Sequence, residues 1–243
     1  MKILTFLRSI IVTILFVVLT VVFSIIGLFG NIIFNNKKID DKVISTWARW
    51  TCWLHGVKIK IIGQDKIPKT GSLFLFNHSS FFDVFALAAT FIDLRFGAKS
   101  ELFKIPFFGI AMKRTGTLPI ARNNREEVFK IYKEAEGRFS QGQKFALSPE
   151  GGRFYGPHLS TFKSGPFIFA LSAKAPLVPV VIKGAYECLP KGAFLANKDQ
   201  CTRVIELHVL DPIETKNYSL EQRHELQRLV YERMDAVWAN SSK

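Results

Sequence analysis

An uncharged apolar stretch near the amino terminus is the feature that most constrains this chain. No charged residue occurs between Ser9 and Asn36, and its centre, from Ile10 to Phe29, is almost entirely Ile, Val, Leu and Phe. As an α-helix this centre is about 30 Å long, which matches the hydrocarbon core of a bilayer. A secretory signal is the alternative, but its apolar region is shorter, about 7–15 residues, and ends at a small-residue cleavage site. We therefore predict a retained membrane segment.

Basic residues flank this segment on both sides, which is unusual for a simple span because positive charge normally favours one face of the membrane. The flanking residues are Lys2 and Arg8 before it and Lys37, Lys38 and Lys42 after it. Two late glycines, Gly27 and Gly30, are expected to loosen the helix. These features favour a helix that enters one leaflet and returns, while a true span stays open.

Three tryptophans lie within seven positions directly after the segment. Trp47 and Trp50 share one predicted helical face with Val43 and Leu54, and Trp53 lies close by. Because Trp favours the headgroup boundary, this pattern predicts an interfacial helix, with a core helix of the globular domain as the alternative. We assign residues 1–56 to a membrane or interfacial segment and residues 57–243 to a globular domain.

The charge of the chain requires an anionic partner. Lys and Arg number 33 against 20 Asp and Glu, a formal net charge of +13. This charge fits an anionic membrane, nucleic acid or a phosphorylated substrate. Nucleic acid is not expected, because the sequence shows no recognition helix, aromatic platform interleaved with basic residues or zinc motif. The three cysteines have neither disulfide-framework nor metal-ligand spacing, so we expect a reducing compartment and no metal.

Short β-rich runs alternate with helical patterns after residue 57, which predicts an α/β fold with a mixed sheet sandwiched by helices. The predicted strands are 57–62, 72–76, 94–98, 117–120, 145–147, 177–182 and 204–210. The predicted helices are 82–92, 102–113 with an interruption near Pro106, 123–140, 162–173 and 220–238.

His78 follows a buried strand directly and precedes a helix, the position where open α/β sheets place chemistry. Asp83 lies five residues on, and across a strand-to-helix turn its carboxylate can fold back to fix the imidazole tautomer and stabilise the imidazolium. A pair of residues that only caps the helix is the alternative. Since no nucleophile motif accompanies the pair, His78 is predicted to activate a substrate hydroxyl, without a covalent enzyme intermediate.

Three cations lie at or just beyond predicted strand ends, namely Lys99, Arg122 and Arg153. Parallel strands end at one edge of a sheet, so these side chains can converge on a phosphate, with Arg as a fork and Lys as a point charge. Solvated surface charges are the alternative. Four phenylalanines lie beside the proposed site and either line a path for an apolar substrate or fill the core, namely Phe81, Phe82, Phe107 and Phe108.

Four ordered blocks resemble the glycerolipid acyltransferases, specifically the 1-acylglycerol-3-phosphate acyltransferases. Asn77-His78 with Asp83 resembles their N-H-x(4)-D block, and residues 99–122 resemble the second block. The run Ser148-Pro149-Glu150-Gly151-Gly152-Arg153 resembles F-P-E-G-T-R, and residues 178–182 resemble the V-P-V block. The resemblance spans residues 57–185, and a membrane helix pair before it is typical of bacterial members.

The resemblance implies that His78 deprotonates the hydroxyl of a lysophospholipid while Asp83 polarises it. The oxygen then attacks the thioester of acyl-CoA or acyl carrier protein, which are co-substrates; no cofactor is expected. Lys99, Arg122 and Arg153 would hold the acceptor phosphate. Glu150 and Gly151 are carried over as acceptor-site residues.

The resemblance also implies a location in the bacterial inner membrane, among membrane phospholipids, with the catalytic domain on the cytoplasmic face. Ser148 and Gly152 depart from the family pattern, where Phe and Thr are usual, and they leave the acceptor open. Another lysolipid, such as one with a headgroup or a lyso-ornithine lipid, is the near alternative to 1-acylglycerol-3-phosphate. A noncatalytic protein that binds anionic membrane is the more distant one.

Overall fold

The computed structural model describes residues 2–34, 36–121 and 123–240, which form eight α-helices around one seven-stranded sheet. The helices are α1 (Lys2–Phe34), α2 (Lys37–Leu54), α3 (Phe81–Thr90), α4 (Phe108–Arg114), α5 (Arg125–Ser140), α6 (Gly165–Ser172), α7 (Ala185–Cys188) and α8 (Arg223–Ala239). The strands are β1 (Val57–Ile62), β2 (Leu73–Phe76), β3 (Leu94–Lys99), β4 (Leu118–Ile120), β5 (Lys144–Leu147), β6 (Leu177–Lys183) and β7 (Arg203–Val209). Short 3₁₀ helices cover Gln64–Lys66, Ser100–Lys104 and Thr215–Asn217.

The strand order is β1-β7-β6-β2-β5-β3-β4. Five neighbouring strands, from β6 to β4, run parallel, whereas β7 is antiparallel to β6 and parallel to β1. The prediction of a mixed α/β sheet is therefore confirmed. The chain moves from β2 toward β3 and β4, then returns to place β5 beside β2 on one side and β6 on the other. The carboxyl end of β2 is thus the switch point, where α/β folds form their sites.

Helices cover both faces of the sheet because successive side chains of each buried strand point to opposite sides. Phe74 and Phe76 pack with α2 and α3, whereas Leu73 and Leu75 pack with α5, α6 and α8. All four side chains of β2 are buried. β2 is therefore the central strand of two hydrophobic cores, which holds its carboxyl end in a fixed position.

Helix α1 turns its large apolar side chains away from the rest of the protein. Its face toward the protein carries mostly small or polar side chains, namely Thr5, Ser9, Val12, Phe16, Thr20, Ser24 and Gly27. Its outer face exposes large apolar side chains along its length, among them Ile3, Leu7, Ile11, Ile14, Val18, Val22 and Phe29. The range Ile3–Gly30 is long and apolar enough to cross a membrane by length and composition. A helix with its apolar face turned outward is suited to contact lipid rather than water.

Helices α1 and α2 form an antiparallel hairpin. Trp47 Nε1 donates to Thr20 Oγ1 over 3.2 Å, and Arg8 donates to the carbonyl of Leu54 over 3.3 Å. Gly27 and Gly30 do not break α1 as the sequence suggested; they lie against Val43 and Ile39 of α2. Small residues at a helix contact let the two backbones approach closely, so the glycines serve packing.

The three tryptophans of α2 divide between the surface and the core. The buried residues of this helix include Asp41, Ser45, Ala48 and Cys52, whereas Trp50 and Trp53 are 53% and 72% exposed. Trp47 lies between these groups and packs on the rings of Phe85 and Phe108. Two tryptophans thus remain on the surface, as an interfacial helix requires, while the small residues of α2 contact the globular domain.

Asp41 of α2 also forms a buried ion pair with Arg95 of β3, whose side chain is 2% exposed. Burial of an unpaired charge is costly, so this pair fixes the hairpin to the sheet. The hairpin and the sheet are joined by a charge pair as well as by apolar packing. The domain boundary after residue 56 stays a prediction.

Some predicted elements differ from the structure. The expected helix over 102–113 is interrupted near Pro106 as predicted, but its first part is a 3₁₀ helix, Ser100–Lys104, and α4 begins at Phe108. The expected helices from residues 162 and 220 begin at Gly165 and Arg223. Proline and glycine explain the first difference: Pro106 ends one helix, and a side chain at Gly109 would lie 2.1 Å from the carbonyl oxygen of Phe103.

Candidate active site

Asn77 fixes the backbone where β2 ends. Its side-chain amide donates to the carbonyl of Ile182 over 2.9 Å and accepts from the N–H of Ile182 over 2.7 Å. The residue is 2% exposed. A side chain thus replaces one rung of strand pairing between β2 and β6, so the next residue, His78, leaves the sheet at a defined angle.

His78 and Asp83 meet as the sequence predicted. His78 Nδ1 lies 2.9 Å from Asp83 Oδ2, and the same oxygen accepts the backbone N–H groups of Ser79 and Ser80, each over 2.7 Å. The Asp83 side chain is fully buried and that of His78 is 12% exposed. With Nδ1–H donating to the carboxylate, Nε2 carries the lone pair, which is the tautomer a general base needs. No described residue hydrogen-bonds Nε2.

Local helix chemistry explains the five-residue spacing. Ser80 is the N-cap of α3, its hydroxyl accepts the N–H of Phe82, and Asp83 at the third helical position completes a capping box. The sequence left open whether Asp83 caps a helix or orients His78. In the structure it does both, because the carboxylate that caps α3 also accepts the hydrogen bond from His78. The spacing S-x-x-D is a capping signal that sequence reasoning had overlooked.

Glu150 reaches the same point from the carboxyl end of β5. Its Oε1 accepts the backbone N–H of His78 over 2.7 Å, and its Oε2 accepts that of Ser160 over 3.1 Å. Burial, with a smaller contribution from the nearby Asp83 charge, raises the pKa of Glu150 to about 7, although the two backbone N–H donors act to lower it. Both oxygens are engaged by the backbone, so Glu150 ties the loop after β5 to His78. Its expected role with the acceptor stays a prediction.

Gly151 allows this loop to turn. Its φ of 72° is in the left-handed region, which glycine adopts without strain. Its N–H donates to the carbonyl of Ser148 over 3.3 Å. The hydroxyl of Ser148 is buried and has no hydrogen-bond partner in the described part of the chain. This serine, one of the two departures from the family pattern, therefore leaves a free polar group under the turn.

Arg153 lies over the ring of Phe81, with its guanidinium carbon 4.3 Å from the ring centroid. The N–H of the next residue, Phe154, donates to the carbonyl of His78 over 2.7 Å, which places Arg153 beside the His78 backbone. No carboxylate of the described residues lies within ion-pair distance of it. A guanidinium held on an aromatic face keeps its in-plane donors free, which suits a phosphate.

Of the other two predicted phosphate ligands, Lys99 is among the described residues and lies at the same edge of the sheet. Lys99 ends β3, two strands from β2 and thus about 10 Å away across the sheet, and its half-exposed amine pairs with Glu101 over 3.0 Å. Arg122 lies outside the described residues. The shared edge of the sheet is confirmed for Lys99, whereas convergence of the three cations on one phosphate stays a prediction.

The four phenylalanines beside the site divide between the two alternatives. Phe82 is buried in the core, whereas Phe81 and Phe107 are 43% and 49% exposed. Phe107 has a φ of 60°, uncommon outside glycine, and it is the N-cap residue that precedes α4. Phe108 packs against Trp47. Only Phe81 and Phe107 thus remain open to line an acyl path.

The family model described as Acyltransferase matches residues 58–183, more than half of the chain. Similar curated proteins include the 1-acyl-sn-glycerol-3-phosphate acyltransferases of Saccharomyces cerevisiae, 28% identical over 81% of this chain and 67% of that protein, and of Escherichia coli, 28% identical over 86% of both. Chloroplast relatives match over less than half of their own length.

The fold has a close counterpart among solved structures. The crystal structure of the 1-acyl-sn-glycerophosphate (LPA) acyltransferase PlsC from Thermotoga maritima superimposes with a TM-score of 0.82, covering 100% of this chain and 99% of that one at 22% identity. At that identity the likeness shows the fold alone. The family match shows more: this chain belongs to the acyltransferase family, which confirms the family that the sequence motifs indicated.

Proposed function

We propose that this chain transfers an acyl group from a thioester to the free hydroxyl of 1-acylglycerol-3-phosphate, forming phosphatidate. The contact between His78 Nδ1 and the buried Asp83 carboxylate, at the carboxyl end of the central strand, carries this proposal. His78 Nε2 takes the proton of the hydroxyl as its oxygen attacks the thioester carbonyl. The tetrahedral intermediate then collapses, the C–S bond breaks, and the imidazolium returns the proton to the thiolate. An ester and a free thiol result.

A positioned base of this kind contributes about 10²–10⁴-fold to the rate. The oxyanion of the intermediate needs hydrogen-bond donors as well. The N–H groups of His78, Ser79 and Ser80 are already taken by Glu150 and Asp83. Stabilisation of the oxyanion must therefore come from outside this turn.

Arg153 supports a phosphate-bearing acceptor, because its guanidinium lies on the ring of Phe81 with no described carboxylate partner and the next residue is hydrogen-bonded to the His78 backbone. Replacing it by Ala should raise KM for lysophosphatidate by about tenfold or more with little change in kcat, since a charge-assisted hydrogen bond is worth about 1.5–3 kcal/mol. Arg153→Lys should restore only part of the affinity for lysophosphatidate, because an ammonium group cannot make the two-pronged contact of a guanidinium with a phosphate. An unchanged acceptor dependence in both variants would refute the phosphate role.

The acyl donor, whether acyl-CoA or acyl carrier protein, and the acceptor are tested together with purified protein and a panel of lysolipids. Phosphatidate formed from lysophosphatidate supports the proposal, and His78→Ala should abolish turnover while acceptor binding survives. Transfer to a different lysolipid would favour the alternative that the departures from the family pattern, Ser148 and Gly152, leave open. Failure on every acceptor in membranes would reject the enzymatic reading.

We also propose that α1 docks the catalytic domain on the cytoplasmic face of the bacterial inner membrane. Its outward apolar face supports contact with lipid, and the antiparallel return of α2 supports entry into one leaflet. In intact cells, thiol labelling of Lys2→Cys and of Lys38→Cys should then find both positions on the cytoplasmic side. Labelling from opposite sides would mean a full span.

A further inference from the structure

The segment between α7 and β7, residues 189–202, carries an unusual exposed ring. The side chain of Phe194 is 90% exposed, more than any other large hydrophobic residue in the described part of the chain. Exposure of a whole Phe side chain to water is unfavourable and marks an interaction site when it adjoins other apolar surface. We call this segment the Phe194 loop.

The Phe194 loop is fastened to the start of α1. Ser9 Oγ donates to the carbonyl of Ala196 over 2.6 Å, and both residues are buried. Asn197 donates from its side chain to the carbonyl of His55 over 2.7 Å and from its backbone to that of Cys188 over 2.8 Å. The base of the loop is therefore ordered against the α1–α2 hairpin, next to the first turns of α1, whose exposed apolar side chains are Ile3, Leu4, Phe6 and Leu7.

The same loop borders the catalytic edge of the sheet. Ser80 Oγ, at the N-cap of α3, donates to the carbonyl of Leu189 over 2.9 Å. β7 is antiparallel to β6, so its first residue, Arg203, lies at the edge where β6 ends and where Asn77 joins Ile182. The Phe194 loop thus lies between the lipid-facing start of α1 and the turn that holds His78.

Charge favours a lipid partner for the loop. Lys191 and Lys198 are exposed on either side of Phe194. An apolar tip flanked by lysines matches the interface of an anionic leaflet, where the ring enters the acyl region and the amines meet headgroups. Continuity with the outer face of α1 makes the membrane, rather than a second copy of this chain, the partner that these observations favour.

We propose that the Phe194 loop is a second membrane contact, which inserts Phe194 into the leaflet that α1 occupies and turns the catalytic edge toward the bilayer. The membrane contact is inferred from the exposed ring of Phe194, the hydrogen bonds that hold the loop to the start of α1, and the two flanking lysines. Its purpose, which is to present membrane-held lysolipid to His78, rests on the proposed function.

Insertion is tested by a depth measurement that does not depend on activity. A fluorophore sensitive to polarity is attached at Phe194→Cys in a Cys201→Ser background, since Cys52 and Cys188 are buried and Cys201 is the exposed cysteine. Leu220→Cys is the matched control, because Leu220 is 47% exposed and precedes α8 on the other face of the sheet. The probes are vesicles of phosphatidylethanolamine and phosphatidylglycerol, with and without brominated lipid.

We expect a blue shift and quenching by brominated lipid at position 194 and neither at position 220. Equal water exposure at both positions would overturn the proposal. A blue shift at 194 without lipid quenching, together with a mass in detergent that falls from dimer to monomer in Phe194→Ser, would also overturn it in favour of a second copy of the chain. If wild-type protein transfers no acyl group but the label at 194 is quenched, the proposed function fails and the membrane contact stands.

A kinetic measurement tests the purpose of the contact. Phe194→Ser should stay on the membrane, because α1 is unchanged. It should raise the apparent KM for long-chain lysolipid in vesicles by about tenfold, the factor that corresponds to losing roughly half of the free energy of burying a Phe side chain. Turnover of a short-chain lysolipid in free solution should be unchanged, and Leu220→Ser should change neither. Lys191→Gln with Lys198→Gln should weaken the dependence of KM on anionic lipid. An equal effect of Phe194→Ser on both substrates would overturn the orienting role.

Discussion

Replacing Asp83 by Asn separates the catalytic role of this carboxylate from its role in the fold. Asp83 Oδ2 accepts three N–H groups, whereas Oδ1 is buried with no hydrogen-bond partner in the described part of the chain. The amide oxygen of Asn should therefore take the place of Oδ2 and leave its NH₂ group without an acceptor. A buried unsatisfied donor costs about 1–3 kcal/mol, which should lower the free energy of unfolding by that amount.

The catalytic loss should be larger. An ionised pair at the separation of His78 and Asp83, 2.9 Å, has a Coulomb energy of about 4–6 kcal/mol at an effective dielectric constant of about 20. The amide oxygen still accepts from Nδ1–H, so the tautomer survives and the stabilisation of the imidazolium is what Asp83→Asn removes. A loss of about 4 kcal/mol in the transition state lowers kcat by about 10³-fold.

The assay measures initial rates of acyl transfer to lysophosphatidate in detergent micelles, with urea unfolding on the same preparations. Asp93→Asn is the control, because Asp93 forms a partly exposed ion pair with Lys144 at the opposite edge of the sheet. The control should keep its kcat. His78→Ala with Asp83→Asn should be no slower than His78→Ala alone, since the two residues act as a unit. An Asp83→Asn variant that folds and keeps more than a tenth of the wild-type kcat would refute the reasoning.

Three further predictions concern stability, each measured by urea unfolding in detergent. Because the pKa of Glu150 is raised to about 7, the folded state holds its proton where the unfolded state has released it; stability should fall by about 3 kcal/mol as the pH rises from about 4.5 to 7, and Glu150→Gln should flatten that slope. Gly109→Ala should cost about 1–3 kcal/mol, because its Cβ would meet backbone at 2.1 Å, while Gly137→Ala, with nothing within 4 Å, should stabilise. Arg95→Met should cost about 3–5 kcal/mol, and Asp41→Asn in the same chain should restore part of it; additive losses would contradict a direct pair.

The local elements were largely predictable from sequence because they depend on local chemistry. The strand predicted over 57–62 was confirmed to the residue, and the helix predicted over 123–140 is α5, which begins at Arg125 and ends at Ser140. Errors occurred where tertiary contacts override local preference. The residues expected to share one face of α2 divide: Trp50 is exposed, whereas Trp47 packs on Phe85 and Phe108, because the side toward the sheet consists of small residues and the Asp41 carboxylate that pairs with Arg95.

The candidate site was predictable to the same extent. His78 and Asp83 are close in sequence, so a strand-to-helix turn suffices to join them. The hydrogen bond from the N–H of His78 to Glu150 connects residues 72 positions apart, and no local pattern shows that both oxygens of that carboxylate accept from backbone. The placement of Arg153 on the ring of Phe81 is equally nonlocal.

By itself, the sequence determined the membrane-compatible helix, the α/β class and the acyltransferase motifs, because hydrophobic length, periodicity and short spacings are properties of neighbouring residues. Only the tertiary structure decided the strand order, in which β1 pairs with the distant β7. It also decided that the large apolar side chains of α1 face away from the protein and that hydrogen bonds hold the Phe194 loop beside the catalytic edge. These features form when segments remote in sequence bury surface against each other. The stabilising free energy therefore depends on both segments and cannot be assigned from the local sequence of either one.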